Sequence, residues 1–142
     1  MTKTETLDAQ EIEKMPAGEG MDALVARNVM CWHVEERRFF DVMYRVQETR
    51  GDCWVDSQGE TRAVVRSWRP STDIAQAMVA IDEIRAFHHF ILTGHWCGPY
   101  TAELHRPSEE FRAMAEEAPL AMMRAALLAS RHGFGTELEP QD

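Results

Sequence analysis

His88, His89, His95, Cys97 and His105 lie within eighteen residues of one another and form the densest set of metal-capable side chains in the sequence. Zinc takes imidazole nitrogen and thiolate sulfur in a tetrahedron, so the residue types are suitable. The spacing is not. His88 falls on the apolar stripe of a predicted helix while His89 opens a predicted strand, so their side chains diverge, and no i, i+4 helical pair is present. The expectation is packed or surface histidines, with no metal and no cofactor. Cys31, Cys53 and Cys97 are odd in number, far apart and without a C-x-x-C pair, which argues against a disulfide framework or a zinc ribbon and for a reducing compartment.

A second constellation is the run Trp68, Arg69, Pro70, Ser71, Thr72 and Asp73, a strand-to-helix junction. A helix N-terminus exposes unpaired N–H groups, so an anion or phosphate could sit there beside Arg69 and be held by Ser71 and Thr72. Asp73 in the first turn opposes such an anion, and capping of the helix with Trp68 as a core anchor is the plainer meaning. Four tryptophans are many for this length. Trp32 and Trp68 read as core, whereas Trp54 and Trp96 are equally suited to burial or to stacking on a base or anchoring a protein partner. Glu109, Glu110, Glu116 and Glu117 would form an acidic helical face able to imitate phosphates, or simply a solvated one.

No nucleophile elbow, P-loop, dinucleotide fingerprint, H-E-x-x-H or Ser/His/Asp arrangement is readable, which argues against an enzyme. The 142 residues carry a net charge of -9, with six acids against two bases in residues 1–24 and seven against three in 108–142. A basic stripe is what a nucleic-acid binder needs to displace phosphate counterions, so direct nucleic-acid binding is disfavoured. An acidic exterior suits a basic partner, or plain solubility. No apolar run approaches the ~18 residues of a membrane span, and the polar first residues do not resemble a secretory signal.

The elements that must position these groups follow from periodicity. Residues 1–20 read as a polar leader with one short helix from Asp8 to Met15. Met21, Leu24, Val25, Val29 and Trp32 recur at helical spacing and predict a helix over 21–32. Short β-rich pieces follow at Phe39–Val46, Cys53–Val55 after a Gly51-Asp52 turn, and Thr61–Trp68, together predicting an antiparallel meander. Ile74, Ala77, Met78, Ile81, Ile84 and His88 mark a second helix capped from Ser71–Asp73. Phe90–Thr93 and Tyr100–Leu104 predict a hairpin, an acidic helical stretch starts at Pro107-Ser108, and Pro119 opens a last helix to Arg131 with Gly133 as its stop. Residues 134–142 read as a flexible tail, leaving 21–133 as a single domain. An open sheet edge between His33 and Arg69 could pair two copies into a homo-oligomer.

Four pieces in this order resemble the phage ABA sandwich domain family: Met21-Asp22-Ala23-Leu24-Val25-Ala26 with Val29-Met30-Cys31-Trp32, Pro70-Ser71-Thr72-Asp73-Ile74-Ala75, Ala118-Pro119-Leu120-Ala121, and Arg124-Ala125-Ala126-Leu127-Leu128-Ala129. The resemblance spans roughly residues 8–133. Three departures stand out: Cys31 occupies the position where the family usually has Gly before the Trp, Met122-Met123 stands for Ile-Cys, and 33–69 is longer than expected. The resemblance implies an α+β fold, a three-layer α/β/α sandwich with an antiparallel sheet, and a phage accessory protein with no established activity. Two binding roles are compatible with it, the first of them leading, and a metal-dependent enzyme is a further, disfavoured alternative. One is an anti-CRISPR-like inhibitor that binds a host defence protein through Trp54, Glu109, Glu110, Glu116 and Glu117. The other is a protein that sequesters a nucleotide-like small molecule through Trp68, Arg69, Ser71, Thr72 and Trp96. Either would act in the host cytoplasm.

Overall fold

A computed structural model describes residues 8–41, 47–94 and 98–131, with only the backbone described at 39–41 and 47–49. The chain begins with α1 (Ala9–Lys14). Asp8 caps it by accepting the Glu11 N–H at 2.9 Å while the Glu11 carboxylate accepts the Asp8 N–H at 3.2 Å, a reciprocal arrangement that satisfies two donors at a helix start. Ile12 on this helix is buried in the core. The next helix, α2 (Glu19–Asn28), starts two residues before the expected Met21, stops short of the expected Trp32, and buries Met21, Asp22, Val25 and Ala26. It ends through Met30 N–H to Val25 O and Trp32 N–H to Ala26 O, two bonds that close around Cys31 at φ 60°. That left-handed conformation is the one glycine adopts without steric cost.

Strands β1 (His33–Asp41), β2 (Gln47–Val55) and β3 (Thr61–Val64) form an antiparallel meander. The meander was expected, its bounds were not. Strand β1 starts at His33, six residues before the expected Phe39, and the 42–46 part of that expected strand lies outside the described residues. Gly51-Asp52 is no turn: Gly51 pairs with Arg37 and Asp52 with Glu36 in mid-ladder. The turn comes instead at Asp56–Glu60, where Asp56 Oδ1 accepts the Gln58 and Glu60 N–H groups and Gly59 adopts φ 82°. A 3-10 turn at Val65–Ser67 replaces the expected end of β3.

Asp73 caps α3 (Ile74–Ile84), its carboxylate accepting the Ala75 and Gln76 N–H groups. Ala77, Ala80, Ile81 and Ile84 face the core, whereas Ile74 is 48% exposed and lies off the stripe, and His88, expected on it, follows the end of the helix and is buried there. A second meander follows, β4 (His89–Thr93), β5 (Tyr100–Arg106) and β6 (Glu109–Ala115). The acidic stretch expected to be helical is therefore a strand. Its apolar residues alternate, with Ala113 and Ala115 buried and Phe111 half-buried while Glu110, Arg112 and Met114 are exposed; that is period two, not 3.6. Pro107-Ser108 is the two-residue link between Arg106 and Glu109, which pair in the ladder and as an ion pair at 2.9 Å.

Last comes α4 (Ala118–Ser130), with Pro119 in its first turn. Ala121 to Met123 and Ala125 to Ala129 are all buried, since α4 packs against β5 and β6 and also against α1, α2 and α3. Its alanines let those neighbours approach from nearly every side. Arg124 locks the arrangement, donating Nη1 to Met114 O at 2.8 Å and Nη2 to Met15 O at 2.9 Å. The fold is thus mixed α and β, with two three-stranded antiparallel sheets where one sheet was expected. Gly133 and the 134–142 tail lie outside the described residues.

Candidate functional site

The junction after β3 is held by a buried polar network. Asp22 on α2 is 5% exposed and Ser71 1% exposed. Ser71 N–H donates to Asp22 Oδ1 at 2.8 Å, Gly18 N–H donates to Ser71 Oγ at 3.0 Å, and the Trp68 indole N–H donates to Asp22 O at 3.1 Å. Burial raises the Asp22 carboxyl above its ordinary range, against the Ser71 hydrogen bonds and the Arg69 charge, which favour the ionised form. The network ties the start of α2 to the segment before α3, because buried polar groups left unpaired would cost about 1–3 kcal/mol each.

Beside this network lies a cleft of about 460 Å³ between α2, the first sheet and the 65–72 segment, lined by Trp54, Trp68, Arg27, Arg66, Arg69, Thr72, Val34, Val65, Ala23, Asp22, Glu19 and Gly18. Trp68 is 6% exposed and tilts against Trp32 with ring centroids 4.8 Å apart. Trp54 is 2% exposed, and the Arg27 guanidinium lies 5.6 Å from its ring centroid, within cation–π range. Arg69 Nε donates to Arg66 O at 3.2 Å, while Gln76 of α3 accepts the Arg69 backbone N–H and donates to Ser67 O at 3.0 Å, so the 67–69 backbone is braced from α3. Three arginines and two tryptophans thus line one concavity. Guanidinium forks match phosphate and carboxylate oxygens in pairs, and indole offers a flat apolar wall.

Of the ligand residues expected from the sequence, Trp68, Arg69 and Thr72 line this cleft, while Ser71 lies beneath it in the Asp22 network. Capping was the plainer expectation at the N-terminus of α3 and an anion the alternative; Asp73 caps two of those N–H groups, and the cationic side of the cleft comes from arginines. Arg27 and Arg66 were not foreseen. Arg66 is a local neighbour of Arg69, three residues before it in the segment that follows β3, whereas Arg27 reaches the cleft only because α2 lies over Trp54 of β2. Trp54 is buried, so it is a wall of the cleft and not an exposed anchor. Trp96, with His95 and Cys97, lies outside the described residues.

The acidic helical face is corrected. Glu109 and Glu110 are on β6 and pair with Arg106 and Arg112 respectively, at 2.9 Å and 3.4 Å. Glu116 and Glu117 sit in the turn before α4, Glu117 as its N-cap. Among the cluster of histidines and cysteine, His88 is buried with its ring edge-on to Phe111, and His89 faces His105 across the β4–β5 ladder. Cys53 is buried, which pushes its thiol up and makes it a poor nucleophile; Cys31 is exposed. Among the described residues no helix is long and apolar enough to cross a membrane.

No curated protein sequence is significantly similar to the chain. Among solved structures, a phage protein from Bacillus cereus ATCC 14579 aligns with a TM-score of 0.53 over 99% of this chain and 98% of its own, at 14% identity, which is a likeness of fold. The sequence profile of the phage ABA sandwich domain matches residues 23–127. That span runs from within α2 into α4 and takes in both sheets and the Val65–Thr72 side of the cleft, with Gly18, Glu19 and Asp22 just before it, and the chain belongs to the phage ABA sandwich domain family.

Proposed function

We propose that this protein is a phage accessory protein that acts in the host cytoplasm by binding, without catalysis, and that its ligand is a small anionic molecule bearing a planar ring. A nucleotide-like signal of host antiviral defence has that chemistry, and sequestering it would blunt the defence. The observation that carries this reading is the convergence of Arg27, Arg66 and Arg69 on a cleft walled by Trp54 and Trp68. Its volume falls in the ~300–1,000 Å³ range of small-molecule sites. The arginines supply charge for phosphate, the indoles supply apolar area for a ring, and Glu19 offers an acceptor for amine or hydroxyl groups. Inhibition of a host defence protein through an acidic helix has less support, because Glu109 and Glu110 lie on a strand and are ion-paired. The three-layer α/β/α stacking implied by the family resemblance belongs to the same proposal, supported by α4 lying on β5 and β6 with α1, α2 and α3 around it.

The test is a thermal-shift screen with mononucleotides, cyclic dinucleotides and ADP-ribose-type compounds, followed by calorimetry. A ligand at a hundredfold excess over its Kd adds about 2.7 kcal/mol to the folded state, which is a rise of several degrees. Arg27→Ala and Arg69→Ala should each weaken the hit at least tenfold while leaving the unliganded melting temperature within a degree or two. A flat screen, or a hit indifferent to both substitutions, would refute the reading.

A further inference from the structure

The outer face of the second sheet carries a set of metal-ligating groups that the function proposed above does not use. Antiparallel register places His89 of β4 directly opposite His105 of β5, and His105 directly opposite Glu110 of β6. Directly opposed residues point to the same face of a sheet with Cβ atoms about 4.5–5.5 Å apart, so these three form a row across all three strands. Glu103, two residues along β5, shares that face. The donor atoms of Glu103, His105 and Glu110 lie within 4.8 Å of one another, and His105 Nε2 is 2.7 Å from Glu103 Oε1. His89 is exposed at the end of the row.

We infer that His89, Glu103, His105 and Glu110 form a binding site for a divalent first-row transition ion, with Zn2+ the fitting case. Two imidazoles and two carboxylates are a donor set zinc accepts, with four ligands satisfying its tetrahedral preference. Calcium and magnesium favour all-oxygen surroundings, which this site does not offer. Arg112 lies in the same place, 3.5 Å from Glu103 and 3.4 Å from Glu110. It offsets the two negative charges without the ion and is displaced by it. The cost is small, because the Arg112 side chain is 59% exposed and solvent screens an ion pair with so exposed a partner. An ion held here bridges β4, an edge strand, to β5 and β6, and so staples the sheet across both ladders. Sequence spacing alone set His88 beside His89 and so argued against a site; the hairpin register pairs His89 with His105 instead.

The experiment is calorimetric titration of chelator-treated full-length protein with ZnCl2, with Co2+ as a spectroscopic substitute. One equivalent should bind, resist millimolar Mg2+ and Ca2+, and give cobalt d–d bands without a thiolate charge-transfer band. His105→Ala and His89→Ala should each weaken binding by about ten- to a hundredfold, the range seen even for partners one step removed from the metal. Arg112→Ala should tighten it severalfold by removing the competing cation. Because these side chains lie on the sheet's outer face, circular dichroism should be unchanged in all three variants, and Glu110→Gln provides a fourth should one misfold. Absence of saturable binding below about 100 µM, a thiolate band, or equal affinity in wild type and the His89→Ala/His105→Ala double variant would each overturn the assignment.

Discussion

Replacing Cys31 with glycine should stabilise the protein. Cys31, three residues past the end of α2, has φ 60°, with Met30 N–H bonded to Val25 O at 3.1 Å and Trp32 N–H to Ala26 O at 2.9 Å on either side of it. Those two bonds hold the reversal in place, so the backbone cannot relax without giving up one of them. A residue with a Cβ in the left-handed region carries a penalty of about 1–2 kcal/mol. Glycine removes the penalty but adds about 0.5–1 kcal/mol through the greater freedom of its unfolded chain. The Cys31 side chain is exposed, so little burial is lost, and the net gain is about 0.5–1 kcal/mol. For a chain of this length that is a rise in Tm of about 2–4 °C. Urea and thermal unfolding followed by circular dichroism measure it, with Cys31→Val as the opposite control because branching at Cβ makes the same conformation costlier. If Cys31→Gly unfolds at or below the wild-type midpoint while Cys31→Val is no worse than wild type, the reversal is not a strained point and the reasoning fails.

Three further outcomes follow from two buried titratable groups and the half-buried Arg124. Burial raises the Asp22 carboxyl above its ordinary 3.8, so between 3.8 and the raised value the folded state keeps a proton that the unfolded state has shed, and stability falls as pH rises through that window. Asp22→Asn should therefore gain on wild type from pH 4 to pH 7 in urea titrations, and a pH-independent difference would contradict it. Burial lowers the His88 imidazole below its ordinary 6.5, so wild type loses stability as pH falls through 6.5; His88→Leu should show its greatest advantage near pH 5 and a smaller one at pH 7.5. Arg124→Met abandons the Met15 and Met114 carbonyls and should cost about 2 kcal/mol; limited proteolysis should then cut first between α1 and α2, and unchanged protection there would mean α1 is held by other contacts.

What the sequence determined by itself was local. Asp8 and Asp73 sit where a carboxylate accepts first-turn N–H groups, and both cap the helices expected to follow them. The core stripes of α2 and α3 and the first-turn Pro119 of α4 were legible for the same reason: side chains three and four apart share a face whatever the rest of the chain does. The 109–115 segment misled because Pro107-Ser108 followed by acids is equally the start of a helix and the tip of a hairpin. Its alternation is carried by Phe111, Ala113 and Ala115, two of them alanines whose small apolar area makes period two faint. What only the tertiary structure decided was partnership across long sequence separations. Trp68, Arg69 and Thr72 were visible as a group within five residues, with Arg66 a local neighbour that was overlooked, but Trp54 of β2 and Arg27 of α2 joined them only through the packing of those elements. In the same way His89 and His105 acquired a common face from hairpin register, since a shift of one residue would send either side chain to the opposite side of the sheet. Hydrophobic spacing selects the element, whereas the packing of one element on another selects which side chains meet, and both candidate binding sites are of the second kind.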